Sequence, residues 1–206
     1  MNPSAKAPAL ALSTDLERFF EELLCQALHE RHAQATAAAT SYLVALLRDY
    51  ARPGREAAEP LNRSLTLLLA EALECAGSER FERLRALGDG VLYVRGFFPD
   101  HLATRGVALD YVDAVGARAY DGAATMLRRS GGARAFELFE ELSLNFDAFA
   151  GVLHLIADRF HANAALSSES GVLKVYERWL KTGSNQLAAV LGMQGLVPVR
   201  GNGEMH

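Results

Sequence analysis

The chain has 206 residues, 50% of them hydrophobic and 22% charged, with a formal net charge of -4. That length supports one well-buried core and is short for two, and the composition excludes a disordered chain. The acidic balance argues against nucleic acid or an anionic membrane surface as partner, and the most apolar run, residues 65–70, falls far short of the ~20 residues that cross a bilayer.

The pattern predicts an all-α fold. Proline stands only at positions 3, 8, 53, 60, 99 and 198 and isoleucine occurs once, while Ala, Leu, Glu and Arg abound; long spans therefore hold nothing to break a helix. No segment alternates apolar and polar residues as a half-buried strand requires. The architecture expected is an irregular multi-helix bundle of about seven to eight helices.

Residues 1–12 read as a flexible tail. With Lys6 as its one cation and Pro8 inside its short apolar stretch, it is a poor secretory signal, so the cytoplasm is the expected location. Thr14-x-x-Glu17 forms a capping box that opens the first helix, and Leu16, Phe20, Leu23, Leu24, Ala27 and Leu28 give it one apolar face. A second helix covers residues 36–50 and stops before Pro53-Gly54. The clearest loop, 53–60, leads to a third helix at 61–75, with Pro60 in its first turn and Gly77 closing it.

A fourth helix starts at Ser78 and turns Phe81, Leu84 and Leu87 inward. Gly88, Gly90 and Gly96 each cost about 1 kcal/mol relative to Ala in a helix interior, which predicts a kink or interruption. Pro99 disfavours helical geometry at Phe98, so 96–99 reads as a corner, followed by a short turn at 100–104. The fifth helix covers 107–129. The sixth, 133–162, carries the strongest pattern, a stripe of Phe136, Phe139, Leu142, Phe146, Phe149, Leu153, Ile156 and Phe160. That stripe would also suit assembly of a homo-oligomer. Helices at 171–181 and 184–192 complete a single domain, 13–198, before a loose tail at 199–206.

Four groups of residues invite a chemical reading. Cys25, His29 and His32 follow i, i+4, i+7 spacing, and His154, Asp158 and His161 share part of the sixth helix. Bundles hold iron or manganese with such groups, but the di-iron pattern needs Glu-x-x-His on two helices and this sequence has none. The groups fit a solvated flank better, and no metal or other cofactor is expected. Cys25 and Cys75 lie in apolar-periodic segments and read as buried free thiols. Cys25 is placed mid-helix with no cation cluster near it, which argues against an activated nucleophile. Residues 179–191 have the outline of a helix-turn-helix, yet its second helix offers no positive charge before Arg200. Packing explains them better.

The fourth group is the most informative. Asp89, Arg95, Phe98, Arg105, Asp110, Tyr111 and Tyr120 cluster around the Pro99 corner and the start of the fifth helix. Arg95 and Arg105 would pair with Asp89 and Asp110 to pin the corner. Alternatively these residues line a pocket for an anionic ligand, since a guanidinium offers fixed bidentate geometry. Gly116, Ala119 and Ala123 form a small-residue face that lets another helix approach.

Leu87-Gly88-Asp89 on a glycine-bearing helix is slightly similar to haem oxygenases, but the further glycines of that family are missing. Over residues 60–198, Leu87-Gly88-Asp89-x-x-Leu92-Tyr93-x-x-Gly96-Phe97-Phe98, Arg105-Gly106-Val107, Tyr111, Gly116-x-x-Ala119-Tyr120 and Tyr176-Glu177-Arg178-Trp179-x-x-Thr182 resemble an uncharacterised family of bacterial all-helical proteins. That resemblance implies an all-α fold; the family has no assigned activity, so it implies nothing about mechanism. The expectation is a non-catalytic protein that binds a partner protein or a small ligand. The alternative is a metal- or haem-binding bundle with redox or oxygen chemistry.

Overall fold

The computed structural model describes residues 7–51, 63–131 and 133–165, together with 187, 188 and 191. Among them are eight α-helices and no strand: α1 (Ala7–Glu30), α2 (Ala37–Tyr50), α3 (Leu65–Glu74), α4 (Gly77–Phe97), α5 (Pro99–Thr104), α6 (Leu109–Arg129), α7 (Ala133–Leu144) and α8 (Phe146–Ala165). The fold is all-α. No helix among the described residues is long and apolar enough to cross a membrane.

The chain divides into two compact units, 1–154 and 155–206. In the first, α6 is the hub and packs most extensively on α4 and α7, while α1 and α2 pack on each other. Its core is built from fully buried Leu24, Leu43, Leu84, Leu92, Tyr120, Leu142 and Phe149. In the second unit, Ile156, Ala157 and Asp158 of α8 are buried, as are the helical Leu187 and Leu191. The remainder of the expected helices at 171–181 and 184–192, the helix-turn-helix outline and the loop at 53–60 lie outside the described residues.

Helix α1 begins at Ala7 and not at the Thr14 box. Pro8 falls in its first turn, where proline removes only an amide that has no intrahelical partner. At the other end the Ala33 amide donates to Leu28 O (3.0 Å) and the His32 amide to His29 O (3.1 Å). This is a Schellman closure, and its left-handed position is held by His32 (φ 52) instead of glycine. His32 therefore leaves the helix, and Cys25, His29 and His32 do not share one helical face. Cys25 itself is exposed and Cys75 half-buried, both free, whereas the sequence placed both inside. Cys25 follows the fully buried Leu24 and turns outward with the helical period.

Helix α2 is capped from afar. The Thr36 side chain accepts from the Ala39 amide (3.2 Å), the first half of a capping box. The third position is Ala39, which has no carboxylate to return the bond. Glu141 of α7 supplies it, accepting from the Thr36 amide (2.8 Å) and hydroxyl (2.5 Å).

Helix α4 runs unbroken through its glycines, against expectation. A Cβ on Gly88 would stand 2.6 Å from the Tyr120 ring, and one on Gly96 would stand 2.5 Å from Leu153 Cβ. The glycines let neighbouring elements approach, and the packing gained offsets their low helix propensity. Gly116 plays the same part on α6, with the Phe146 ring seated against it, and Ala119 and Ala123 beside it are fully buried. The corner at Phe98-Pro99 is present, with Phe98 between α4 and α5.

The sixth expected helix is two. Asn145 separates α7 from α8, and its side-chain amide donates to Glu141 O (3.1 Å), the same carbonyl that its backbone amide uses (3.0 Å). A polar side chain that shares a helix carbonyl with the backbone favours an interruption of regular helix at such a position. The aromatic stripe survives the break. Phe139, Phe146 and Phe149 are buried within the chain, and Phe139 meets Tyr42, Phe81 and Tyr120 at ring-centroid distances of 5.5, 5.5 and 5.9 Å.

Candidate functional site

Helices α2, α4 and α6 meet at a polar node. Tyr42 (α2) and Tyr120 (α6) both donate to the same oxygen of Asp89 (α4), Oδ1, at 2.6 and 2.8 Å. Two phenolic donors on one oxygen suit an ionised carboxylate. Burial, reinforced by the Asp89 charge, raises both tyrosine pKa values, so both phenols stay protonated. The Gly88 backbone lies against the Tyr120 ring beside this node. These bonds tie three helices together.

Farther along the α4–α6 contact, Arg95 Nε stands 2.9 Å from Asp113 Oδ1, a close ion pair that is not aligned as a hydrogen bond. Its Nη2 donates to Asp113 Oδ2 (3.3 Å) and to Asp147 Oδ1 (3.4 Å). Burial pushes the Asp113 carboxyl up and Arg95 pulls it down; the net shift is upward. His154 Nδ1 lies 3.2 Å from Gly96 O on the same helix end.

Phe98 belongs to an aromatic group at the end of α4. Tyr93 stacks on Tyr50 (4.2 Å, 8° between planes) and on Phe97 (4.5 Å, 18°), and Phe98 meets Tyr93 edge-on at 6.0 Å. Burial raises the Tyr93 pKa. The Tyr111 hydroxyl accepts from the Thr66 amide (3.1 Å) and shares a 2.7 Å bond with its hydroxyl, so it holds the start of α3. Asp110 is exposed in the first turn of α6, where a carboxylate suits the helix dipole. Arg105 is exposed and its amide caps α5.

The seven residues singled out by the sequence thus fall into separate places. Asp89 and Tyr120 meet, Arg95 stands farther along the same helix pair, and Phe98, Tyr111, Asp110 and Arg105 occupy other positions. The expected pairing of Arg95 with Asp89 gives way to Asp113, because Asp89 is taken by the tyrosines. Tyr42, Asp113 and Asp147 complete these contacts; Asp113 lies within residues 89–120, the stretch that the sequence marks as most informative, whereas Tyr42 and Asp147 carried only a faint signal, a hydroxyl-bearing ring among the leucines of α2 and an acidic residue in the first turn of α8.

A different place has the form of a binding site. Between α3 and α4 lies an open groove of about 260 Å³. Leu68, Ala72, Ala86 and Leu87 provide its apolar lining, and Arg63, Glu71 and Arg83 its charged groups. Arg63 bonds Glu71, and Arg83 bonds Glu79 through Nε (3.0 Å) and Nη2 (2.8 Å). All four side chains are between 43% and 61% exposed. Such exposed pairs contribute little to stability. The sequence reading had no means to find this groove, since its parts come from two helices and the start of a third segment.

Among the described residues, no group of three or more His, Cys, Asp or Glu side chains is placed to hold a metal ion. The chain matches no protein-family profile, no curated protein and no solved structure.

Proposed function

We propose that this chain is a non-catalytic binding protein of the cytoplasm that takes up a small ligand in the α3–α4 groove. The observation that supports this is the contrast in how polar groups are held. On the α6 side of α4, Asp89 and Arg95 are committed to helix–helix contacts. In the groove, charged side chains stand on an apolar lining in exposed pairs that a ligand displaces at small cost. A volume of about 260 Å³ falls just below the ~300 Å³ at which ligand pockets usually start, so the groove suits only a small molecule.

A screen of neutral fragments by amide NMR tests the reading. Hits are expected to shift the amides of Leu68, Ala72 and Leu87. The substitution Ala86→Trp, at an exposed lining position, should abolish those shifts while the circular dichroism spectrum stays the same. Fragments that bind only elsewhere, or bind the Trp variant equally well, refute the proposal.

A further inference from the structure

We infer that the outward face of α3 docks a basic amphipathic helix, at a surface independent of the groove reading. Helix α3 is apolar almost all round, with five leucines and two alanines in ten residues, and of these only Leu65 and Ala72 are buried. Leu67 is 59% exposed, Ala70 is exposed, and Leu69 and Leu73 are half-buried. Tyr111, 39% exposed, adjoins this face through its bond to Thr66. A helix without a polar face is ordinarily covered on all sides, and clustered apolar exposure marks an interaction surface. Leu68 and Ala72 line the groove, whereas Leu67, Ala70 and Leu73 turn to other sides of the helix at ~100° per residue.

The charges at the rim set the sign of the partner. Arg63 is neutralised by Glu71 and Arg83 by Glu79. Glu74 ends α3 and Asp110 adjoins Tyr111; both are exposed, and neither pairs with a cation among the described residues. What remains uncompensated around the face is therefore negative. The last turn of α3 also holds no basic residue, although the helix dipole favours a cation there. Electrostatic complementarity selects a basic partner. A second copy would bring these acidic ends together whichever way it lay, which disfavours it. The partner's backbone follows from the receiving surface. Among the described residues no strand edge is present to pair with an extended peptide, whereas the ridges of one helix accept those of another. Ten residues span ~15 Å, so the partner presents about three turns, with apolar side chains at i, i+3 or i+4 and i+7 and Lys or Arg beside them. So short a contact buries less than the ~1,200 Å² of stable complexes and gives a weak, reversible association.

Calorimetry and amide NMR of the full chain with synthetic peptides of about four helical turns decide the matter. The probes are a Leu/Lys peptide with its leucines in one helical stripe, the same composition scrambled, and a Leu/Glu peptide with the stripe intact. The striped Leu/Lys peptide should bind at least about tenfold more tightly than either of the others, become helical when bound, and shift the amides of Leu67, Ala70 and Leu73. Leu67→Gln, and separately Glu74→Gln, should each weaken it several-fold with an unchanged circular dichroism spectrum, while Ala86→Trp in the groove should not. If the scrambled peptide binds as tightly, the attraction is that of an acidic surface and the apolar face is no site. Equal binding of the Leu/Glu peptide overturns the basic assignment, and silence from all three peptides refutes the proposal. A peptide that Ala86→Trp alone displaces occupies the groove, which overturns the assignment to α3. Self-association in sedimentation that Leu67→Gln abolishes makes a second copy the occupant, with the same consequence.

Discussion

The two sides of α4 carry similar side chains and use them in opposite ways. Toward α6, Asp89 and Arg95 are partly buried, and each is bonded to partners from two other helices. Toward α3, Arg83 and its neighbours stand in solvent in pairs drawn from α4 itself or from α3 and the segment just before it. A buried polar group must be satisfied inside the protein, so it becomes a fixed part of the fold. An exposed pair exchanges freely with water, and so with a ligand. The difference separates residues that define the structure from residues that are available for binding.

The comparison breaks first at Tyr120. Removing this fully buried ring as Tyr120→Ala should cost about 3–5 kcal/mol in urea unfolding, whereas Tyr120→Phe, which removes only the bond to Asp89, should cost about 1.5–3 kcal/mol. No loss in Tyr120→Phe would mean that the hydroxyl contributes nothing and the node is mere packing.

Gly88 sharpens the point. Helix propensity alone favours Gly88→Ala by about 1 kcal/mol, but the new methyl meets the Tyr120 ring. Overpacking there should leave a net loss of about 1–2 kcal/mol. A stabilised variant would show that the ring yields and that the α4–α6 contact is less tightly determined than described.

Alkaline pH tests the same node without mutation. The folded-state pKa values of Tyr42 and Tyr120 are raised above the unfolded value of ~10. The folded chain therefore keeps protons that the unfolded chain releases. Their contribution is complete below pH ~10 and is lost above it, by up to ~1.4 kcal/mol per pH unit for each tyrosine. Urea midpoints between pH 9 and 11 measure the slope, to which Tyr93 also contributes, and Tyr42→Phe should clearly reduce it. A slope unaffected by both Phe variants would place the alkaline loss elsewhere.

The smallest effect belongs to the other side of α4. Arg83→Gln should leave the thermal midpoint where it is, because its pair is exposed. A clear loss of stability would show that the groove charges support the fold, and the contrast between the two sides would disappear.

Much of the fold was legible in the sequence because helix formation is dictated locally. The absence of proline over long spans, the leucine and phenylalanine stripes and the Phe98-Pro99 corner each correspond to a described element. The first errors came where a local rule was overruled by a distant partner. The glycines of α4 predicted a break that Tyr120 and Leu153 prevent, and the long sixth helix divides where Asn145 competes for Glu141 O.

The seven candidate residues were recognisable as polar groups near a corner, but their partners were not. Asp89 had plausible cationic partners nearby in sequence, and the structure bonds it instead to Tyr42, 47 positions away, and Tyr120, 31 positions away. The sequence alone determined the all-α class, the apolar faces and most helix limits, since these follow from proline, glycine and the 3.6-residue period. Only the tertiary structure decided which polar groups are locked in the fold and which line the α3–α4 groove. That choice depends on which helices are neighbours, and helical periodicity specifies a face without specifying what lies against it.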